Sequence, residues 1–530
     1  MRNLELPGRS PVHSTRGMAA TSHPLATITA VNILQAGGNA IDAAVAACAA
    51  QCVVEPESTG VGGDCFCLIA PKGGTEIIGY NGSGAAPAAA TQEWFARAGI
   101  TKIERNTPHA VTIPGAVEAW ARLVADHGRL SIGDVLAPAI RLASEGYPIS
   151  SRVAVDFAAE AGLLAKDPTA ARIFLPGGKP PRVGQLHKQP ELAATMQAIA
   201  DNGIEAFYTG PIAEDIVTYL NGLGGLHTME DFASHQGEYV TPISTNYRGY
   251  DVFEIPPNGQ GITALILLNI LSGFDISGMD PMSVERLHIE IEATRLAYAD
   301  RNTFVADPRH ADVPVDYLLS MDHAADLRSL ISMDKAMENV PRPKLPAHPD
   351  TVYLCVVDEE GNAVSFINSL YNGFGSGLCA PMSGVTLQNR GCGFVLDPDH
   401  PNCIAPKKRP FHTIIPGMLA KDGKAVMPFG VMGGPYQACG HAHVLTGLLD
   451  LGLDMQEIMD QPRVFPDGNG VVEVESGVPA KAVHGLHALG HRTAPPDKPQ
   501  GGSQGIWIDR EQGVLTGGSD PRKDGCAIGY

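Results

Sequence analysis

The spacing of apolar residues divides the sequence into a helix-rich first part and a strand-rich second part. Apolar residues recur at helical spacing in NAIDAAVAACAAQC (39–52), directly after a Gly-Gly turn. Further runs of helical period, separated by Pro and Gly, fill residues from about 115 to 235. The run ITALILLNILSGF (262–274) predicts a buried helix, and SVERLHIEIEATRLAYADR (283–301) predicts an amphipathic one.

The pattern changes near residue 350. Residues 332–350 (SMDKAMENVPRPKLPAHPD) are polar, interrupted by Pro and without periodicity, which is typical of an exposed linker. The stretch TVYLCVVDEEGNAVSFINSL (351–370) then predicts two strands joined by a Glu-Gly turn. Gly-rich loops, strands and a few helices follow, so we expect two parts, 1–350 and 351–530, with no internal repeat.

Composition and charge exclude several classes of protein. The 530 residues are 44% hydrophobic, and 60 Gly and 41 Pro are too few for a low-complexity chain, so a globular protein is expected. The net charge is −19 and basic residues do not cluster, which argues against a nucleic-acid partner. The sequence contains no apolar stretch long enough to span a membrane, no secretory signal and only ten Cys. We therefore expect a cytoplasmic protein with free thiols.

Two motifs with catalytic or metal-binding spacing lead no further. Residues 501–505 (GGSQG) match the pattern of a nucleophilic serine, but that motif requires a following helix, whereas IWID predicts a strand. The pairs His441-x-His443 and Cys65-x-Cys67 have no convincing further ligands, so no metal site is expected.

Thr351 stands where the polar linker meets the hairpin. An internal threonine hydroxyl is a weak nucleophile because no base lies beside it. If the bond between Asp350 and Thr351 is cut, the new α-amine, with a pKa of about 7.7–8.0, becomes a local base for the hydroxyl. Position alone does not decide the matter, since many strands begin with an ordinary β-branched threonine.

Other segments accompany Thr351 in a fixed order. They are GGNAIDAAVAA (37–47), ESTGVGGDCF (57–66), AVTIPGAVEAW (110–120), APAIRLASEGYPIS (137–150), PPNGQG (256–261), LAYADRNTFVADP (296–308), KKRPFHTIIP (407–416), MGGPYQ (432–437) and SDPRKDGCAIGY (519–530). With residues 351–377, they resemble the γ-glutamyltransferase (γ-glutamyltranspeptidase) family of N-terminal-nucleophile hydrolases over nearly the whole chain. The resemblance implies an α+β fold, a four-layer αββα sandwich formed jointly by a large subunit (1–350) and a small subunit (351–530) after autocatalytic cleavage.

The resemblance also implies catalytic residues. Thr351 would attack an amide carbonyl and form an acyl-enzyme, while its own α-amine moves the proton. Ser369 matches a family threonine that hydrogen-bonds the nucleophile and aids processing, although a solvated strand serine has the same pattern. Gly433 and Gly434 match a glycine pair whose N–H groups form an oxyanion hole, although by themselves they indicate only a tight turn. No metal or organic cofactor is implied.

The residues that would hold a γ-glutamyl substrate differ from the family pattern. In the family pattern, an arginine and two serines hold the α-carboxylate, and three other residues hold the α-amine. This sequence has Ser83 at the arginine position and His412 and Thr413 at the serine positions. At the three positions for the α-amine it has Tyr371, Arg390 and Gly393. An acid that would pair with an ammonium is lost and a cation is gained. Because a guanidinium repels an ammonium but offers a carboxylate a planar fork, the donor is expected to carry a carboxylate and no free α-amine. The alternative is a donor whose carboxylate lies at a different distance from the scissile carbonyl.

The expected substrate is therefore a small carboxylate-bearing amide of the oxamate type, hydrolysed by water. The residues expected to bind it are Arg390, Tyr371, His412, Thr413 and Asn389. The sequence around Arg390 and His412 also resembles non-transpeptidase members of the family such as oxamate amidohydrolase.

Alternative interpretations stay open. The protein could be a glutathione hydrolase or γ-glutamyltransferase with a rebuilt clamp, or an unprocessed member that serves as a binding or scaffold protein. Arg390 could instead form a structural ion pair with Asp397 or Asp399. The expected protein partners are the chain's own two subunits, and a dimer of these heterodimers, a heterotetramer, is a further expectation.

Overall fold

The computed structural model of the uncut chain describes Glu5 and residues 8–74, 76–338 and 349–530. In these ranges the strands are β1 (Val12–Ser14), β2 (Met18–Thr21), β3 (Asp64–Ala70), β4 (Ile78–Gly82), β5 (Tyr147–Pro148), β6 (Leu186–His187), β7 (Glu238–Val240), β8 (Ile243–Tyr247), β9 (Tyr250–Glu254), β10 (Pro349–Val357), β11 (Ala363–Asn372), β12 (Gly417–Lys421), β13 (Lys424–Met432), β14 (Val464–Pro466), β15 (Val472–Val474), β16 (Thr493–Ala494), β17 (Gly502–Asp509), β18 (Val514–Ser519) and β19 (Cys526–Gly529).

The helices in the same ranges are α1 (Pro24–Gln35), α2 (Ala40–Val54), α3 (Gln92–Arg97), α4 (Ala116–His127), α5 (Ile132–Glu145), α6 (Ser151–Leu164), α7 (Pro168–Phe174), α8 (Pro190–Asn202), α9 (Glu205–Tyr208), α10 (Pro211–Gly222), α11 (Met229–Ala233), α12 (Gly261–Leu271), α13 (Val284–Phe304), α14 (Val315–Leu318), α15 (Met321–Ser329), α16 (Tyr436–Leu449), α17 (Met455–Asp460) and α18 (Ala480–Ala488). None of the helices in the described part of the chain is both long and apolar enough to cross a membrane.

Two large antiparallel sheets form the centre of the molecule. Sheet I has the strand order β19-β2-β10-β11-β3-β4-β7, and sheet II has the order β1-β18-β17-β13-β12-β9-β8. Alternate residues of β10 face opposite sides of sheet I: Tyr353 and Cys355 pack toward sheet II, while Leu354 and Val356 pack toward the helices. Since both faces of this strand are buried, its sequence is almost continuously apolar.

Three apolar cores separate four layers. One core lies between the two sheets, a second joins sheet I to helices that include α2 and α5, and a third joins sheet II to helices that include α12 and α16. Stacked layers of this kind bury both faces of each sheet. The arrangement confirms the predicted α+β class and the four-layer αββα sandwich.

The helix predicted from residue 39 onward is present as α2, and it is buried along its whole length. It begins with a capping box in which Asn39 and Asp42 exchange side-chain and backbone hydrogen bonds. Its many alanines allow the helix to pack closely on sheet I and α1 because they have no long side chains. The helix leads into residues 57–63, which connect it to β3 near the candidate site.

The amphipathic character predicted for residues 283–301 is wrong. Helix α13 buries polar residues as well as apolar ones, among them Arg286, His288 and Glu290. The carboxylate of Glu290 pairs with Arg286 at 2.6 Å, and His288 shares a hydrogen bond of 2.8 Å with His491. These partners satisfy polar groups that otherwise would have to face water.

The predicted hairpin of residues 351–370 is present as β10 and β11, and the predicted strand after GGSQG is β17. The first residues of the expected linker are anchored: Ala336 donates to the carbonyl of Leu489 and Met337 donates to Glu292. Residues 339–348 lie outside the described residues. The last two linker residues already belong to strand β10, so the strand crosses the expected cleavage position.

Candidate active site

Thr351 lies in β10 at an irregularity in its pairing with β11. The register shifts between Asp350 and Val352, so that two residues of β11, Ser369 and Leu370, face the single residue Thr351. Such bulges occur next to active sites because they redirect a side chain. The backbone continues through Asp350 into Thr351, and the Thr351 nitrogen therefore belongs to a peptide bond in this uncut chain.

The hydroxyl of Thr351 is fully buried between two polar side chains. Its Oγ1 lies 3.1 Å from the Ser369 hydroxyl oxygen, and the amide Nε2 of Gln437 donates to it at 3.5 Å. Ser369 also accepts hydrogen bonds from the backbone N–H of Tyr371 at 2.8 Å and from Arg390 at 3.3 Å. The predicted contact between Thr351 and Ser369 is therefore present, and Ser369 is a buried residue and not a solvated one.

Gly433 and Gly434 form the turn between β13 and α16. Both have positive φ angles, 110° and 53°, and a Cβ added to Gly433 would lie 2.8 Å from the Cα of Gly501. Only glycine adopts this conformation at low cost. The turn precedes the first turn of α16, where Gln437 reaches Thr351. Backbone N–H groups at the start of a helix are available to bind a negative charge.

Arg390 is buried beside Ser369, without a carboxylate within 4.0 Å among the described residues. One guanidinium nitrogen donates to Thr413 at 2.8 Å and another to Ser369, while Nε has no hydrogen-bond partner in the described part of the chain. The guanidinium carbon lies 4.2 Å from the centre of the Tyr371 ring. The alternative ion pair with Asp397 or Asp399 is absent.

The electrostatics of Arg390 follow from its burial. Burial lowers its pKa to about 10, although the Tyr371 hydroxyl and the Asp64 carboxylate act in the opposite direction. The guanidinium therefore keeps its charge at neutral pH. Tyr371 itself has a φ of 83°, which is rare for a residue with a side chain and holds its ring beneath the guanidinium.

His412 faces Asp64, not open space. Its Nε2 lies 3.0 Å from the Asp64 carboxylate, and its Nδ1 accepts a hydrogen bond of 3.4 Å from the N–H of Ile414. Burial and the positive charge of Arg390 lower the pKa of His412 to about 4, so its ring is neutral at pH 7. Both ring nitrogens thus have protein partners, and in this uncut chain neither is available for a substrate.

The carboxylate of Asp64 organises this side of the site. Burial alone would raise its pKa, but the hydrogen bond and charge of His412 and the charge of Arg390 outweigh burial and lower it. Its other oxygen accepts hydrogen bonds from the N–H groups of Gly84 and Gly115 and from Gln388. Asp64 also pairs with Ser369 across β3 and β11. An ionised carboxylate therefore lies close to the candidate nucleophile.

Three other expected positions have structural partners. Ser83 donates to Asn81 at 2.7 Å and accepts from Asn258 at 3.2 Å. Asn389 exchanges hydrogen bonds with the side chain and backbone of Asn372. Gly393 ends the short turn that begins with Arg390. The Asn389 amide thus orients the segment before Arg390, and Ser83 forms part of an uncharged asparagine cluster.

Asp64 and Gln437 are absent from the residues predicted from sequence, although both touch the site. Each lies in a segment that carries the family resemblance, ESTGVGGDCF or MGGPYQ, and that position is the only signal the sequence offers. Their contacts join distant parts of the chain, Asp64 to His412 and Gln437 to Thr351. Local sequence patterns contain no information on such pairings.

Thr351 therefore lies on a central strand of an αββα sandwich, beside a second hydroxyl and a glycine turn at the start of a helix. Proteins built in this way are N-terminal-nucleophile hydrolases, which cleave C–N amide bonds.

Comparison with known proteins agrees with this class. The family model described as gamma-glutamyltranspeptidase matches residues 26–530, and the chain belongs to that family. It is 38% identical to the glutathione hydrolase-like YwrD proenzyme of Bacillus subtilis (strain 168), over 98% of this chain and 99% of that protein. It is 35% identical to the oxamate amidohydrolase proenzyme of Klebsiella pneumoniae, over 98% of this chain and 99% of that protein.

Among solved structures, a cephalosporin acylase from Bacillus halodurans has a TM-score of 0.93 to this chain and 41% sequence identity. The match covers 100% of this chain and 99% of the acylase. The γ-glutamyltranspeptidase of Helicobacter pylori has a TM-score of 0.58 at 31% identity, over 63% of this chain and 95% of that chain. The chain is thus an amide hydrolase of the family, similar to members whose names indicate different substrates.

Proposed function

We propose that the chain is a proenzyme that cleaves itself before Thr351 and then hydrolyses a small carboxylate-bearing amide of the oxamate type. The observation that carries the proposal is the buried cation of Arg390. It has no carboxylate partner within 4.0 Å among the described residues and donates to Ser369, which in turn contacts Thr351. A buried, unpaired cation is costly unless a ligand compensates it.

Cleavage would begin with attack of Thr351 Oγ1 on the carbonyl carbon of Asp350. The C–N bond breaks, an ester forms between Asp350 and Oγ1, and the α-amine of Thr351 takes up the proton. Water then hydrolyses the ester, leaving the Asp350 carboxylate and the free hydroxyl. The products are the large subunit 1–350 and the small subunit 351–530.

The mature site would use the same atoms on an external amide. The freed α-amine accepts the Oγ1 proton while Oγ1 attacks the amide carbonyl, and the N–H groups of Gly433 and Gly434 stabilise the oxyanion. Breakage of the C–N bond releases ammonia, which takes the proton from the α-ammonium, and leaves an acyl-enzyme. Water, deprotonated by the α-amine, hydrolyses that ester and restores Thr351.

The short path from Thr351 to Arg390 favours a small acyl group. Only two successive hydrogen-bond distances, 3.1 Å and 3.3 Å, connect Thr351 Oγ1 to the Arg390 guanidinium through Ser369. In oxamate the carboxylate is attached directly to the amide carbonyl, so both groups fit within such a distance. Arg390 and the Thr413 hydroxyl would hold the carboxylate, and Tyr371 would support the guanidinium from below.

Hydrolysis or transfer of γ-glutamyl groups is the second candidate, favoured by the relative named as glutathione hydrolase-like. It requires an acid for the substrate's α-ammonium. The carboxylate whose charge acts on Arg390 is that of Asp64, and it already accepts hydrogen bonds from His412, two glycine N–H groups and a glutamine. We therefore rank this function behind hydrolysis of an amide without an α-amine.

The test compares two substrates on the purified, cleaved protein. Ammonia release from oxamate is measured beside glutamate release from glutathione, with Thr351→Ala as the inactive control. Oxamate should be hydrolysed with the higher kcat/KM. Faster turnover of glutathione would overturn the argument from Arg390 and support the second candidate.

A further inference from the structure

Gln437 is fully buried, and none of the steps assigned to Thr351, Gly433 and Gly434 uses its side chain. Its Oε1 accepts the backbone N–H of Ile415 at 3.0 Å, and its Nε2 lies 3.5 Å from Thr351 Oγ1. The N–H of Ile415 can only donate, so the oxygen of the amide must face it. The opposite end of the amide therefore presents an N–H donor to the candidate nucleophile.

A rigid frame holds this amide in place. Gln437 lies on the first turn of α16, and His441 follows one turn later on the same side. His441 accepts the backbone N–H of Val431 at 3.3 Å and contacts the buried Glu254 carboxylate at 2.6 Å. The pairing of β12 with β13 ends at Gly417 and Phe429, and Ile415 and Val431 lie just beyond this pair. The backbone N–H groups of Ile415 and Val431 therefore donate to the side chains of Gln437 and His441.

The charge on Thr351 Oγ1 changes in opposite directions in the two halves of the reaction. During acylation the hydroxyl oxygen becomes an ester oxygen, which is a poorer hydrogen-bond acceptor. During hydrolysis of the ester, Oγ1 departs with the bonding electrons and develops negative charge until it receives a proton from the α-ammonium. A donor aimed at Oγ1 therefore stabilises the second transition state more than the first.

We propose that Gln437 is a catalytic residue that stabilises Thr351 Oγ1 as the leaving group when water hydrolyses the ester. The inference rests on the proposed function, since it takes Thr351 as the nucleophile. It applies to both esters that form on this atom: the one with Asp350 during self-cleavage and the one with the substrate. Water adds to the acyl carbon, the Oγ1–C bond breaks, and Oγ1 is protonated.

Removal of the donor should slow the second half of each reaction. A hydrogen bond to a developing charge corresponds to roughly a tenfold to hundredfold change in rate. With Gln437→Leu, kcat should fall by about that factor and KM should fall with it, so that kcat/KM changes little. A residue that only supports the fold would lower kcat/KM without trapping an ester.

The first experiment uses self-cleavage, which requires no knowledge of the substrate. Freshly folded Gln437→Leu and Gln437→Glu precursors are treated with hydroxylamine at pH 8, and chain separation is followed on denaturing gels and by intact mass. The Gln437→Glu variant keeps an acceptor for the N–H of Ile415, which protects the fold. Hydroxylamine should accelerate separation of 1–350 from 351–530 in both variants by intercepting a trapped ester. No acceleration in either variant overturns the proposal.

The second experiment uses oxamate and rapid quenching. The Gln437 variants should release about one equivalent of ammonia per Thr351 in a burst and then turn over slowly, with the acyl group detected on the small subunit by mass spectrometry. Gln504→Leu is the matched control, because Gln504 is equally buried on β17 and its side chain has no hydrogen-bond partner among the residues that the structure describes. An equal burst with Gln504→Leu, or slowed acylation without a burst, would contradict a leaving-group role.

The two proposals fail in different ways. If the wild-type chain stays uncut and Thr351→Ala changes nothing, the proposed function fails. If the wild type cleaves itself but does not hydrolyse oxamate, only the substrate assignment is wrong. The hydroxylamine experiment then still tests the role of Gln437.

Discussion

Replacement of Arg390 by Met tests whether the buried guanidinium recognises a substrate carboxylate. Met keeps much of the apolar volume above Tyr371 and removes the charge, together with the donors to Thr413 and Ser369. A charge-assisted hydrogen bond contributes about 1.5–3 kcal/mol to binding, and a bidentate pair of such bonds contributes more than a single bond does. We therefore expect kcat/KM for oxamate to fall by at least roughly a hundredfold.

The neutral diamide oxamide provides the internal control. It offers the same scissile carbonyl with an amide in place of the carboxylate, so the Arg390→Met change should alter its kcat/KM by less than about tenfold. Arg390→Lys should lie between Met and the wild type on oxamate because it keeps the charge and loses the planar fork. Melting temperatures measured in parallel report any loss of stability. Equal losses on oxamate and oxamide would refute carboxylate recognition by Arg390.

Three further changes test separate parts of the structure. A Cβ at Gly433 would lie 2.8 Å from the Cα of Gly501, so Gly433→Ala should displace the backbone N–H groups of the turn. Turnover should then be slower by about 10²–10³, as it is when an oxyanion donor is lost. An unchanged kcat with a chromogenic amide would contradict this. Asp64→Asn should lower the free energy of unfolding by about 2 kcal/mol, since an amide N–H would face the His412 N–H; an unchanged urea midpoint would contradict this. Burial lowers the pKa of His187 from 6.5 to about 4. As the pH falls from 6.5 toward 4, the unfolded state therefore binds a proton that the folded state does not, and the protein loses stability. His187→Phe should therefore lose about 2 kcal/mol less stability than the wild type between pH 7 and pH 5, and parallel losses in urea titrations at both pH values would contradict the assignment.

Strong local periodicity made parts of the fold predictable. Helix α2 and the hairpin of β10 and β11 follow from apolar spacing, and their start signals lie in adjacent residues. The stacking of two sheets between helices required the ordered family segments, because periodicity alone does not pair distant strands. The burial of polar residues on α13 was not predictable, since partners such as His491 come from remote segments.

In the candidate site, too, contacts between neighbouring segments could be predicted from the sequence, whereas contacts between distant segments could not. Thr351 and Ser369 lie on neighbouring strands of one hairpin, so their contact could be expected from the sequence. The partners of His412 could not, because Asp64 comes from a strand in the first part of the chain. The same holds for Gln437, whose amide is oriented by a backbone N–H far from it in sequence. Contacts between distant segments follow from the tertiary fold and leave no local pattern.

In the proposed maturation, Thr351 becomes the N-terminal residue of a catalytic subunit. Intact mass spectrometry and N-terminal sequencing of the purified, active protein identify the first residue of each chain. Two chains are expected, 1–350 and 351–530, with Thr351 as the first residue of the smaller one, and Thr351→Ala should remain a single inactive chain. Full amide hydrolase activity in a single uncut chain, or a small subunit that begins at another residue, would contradict it.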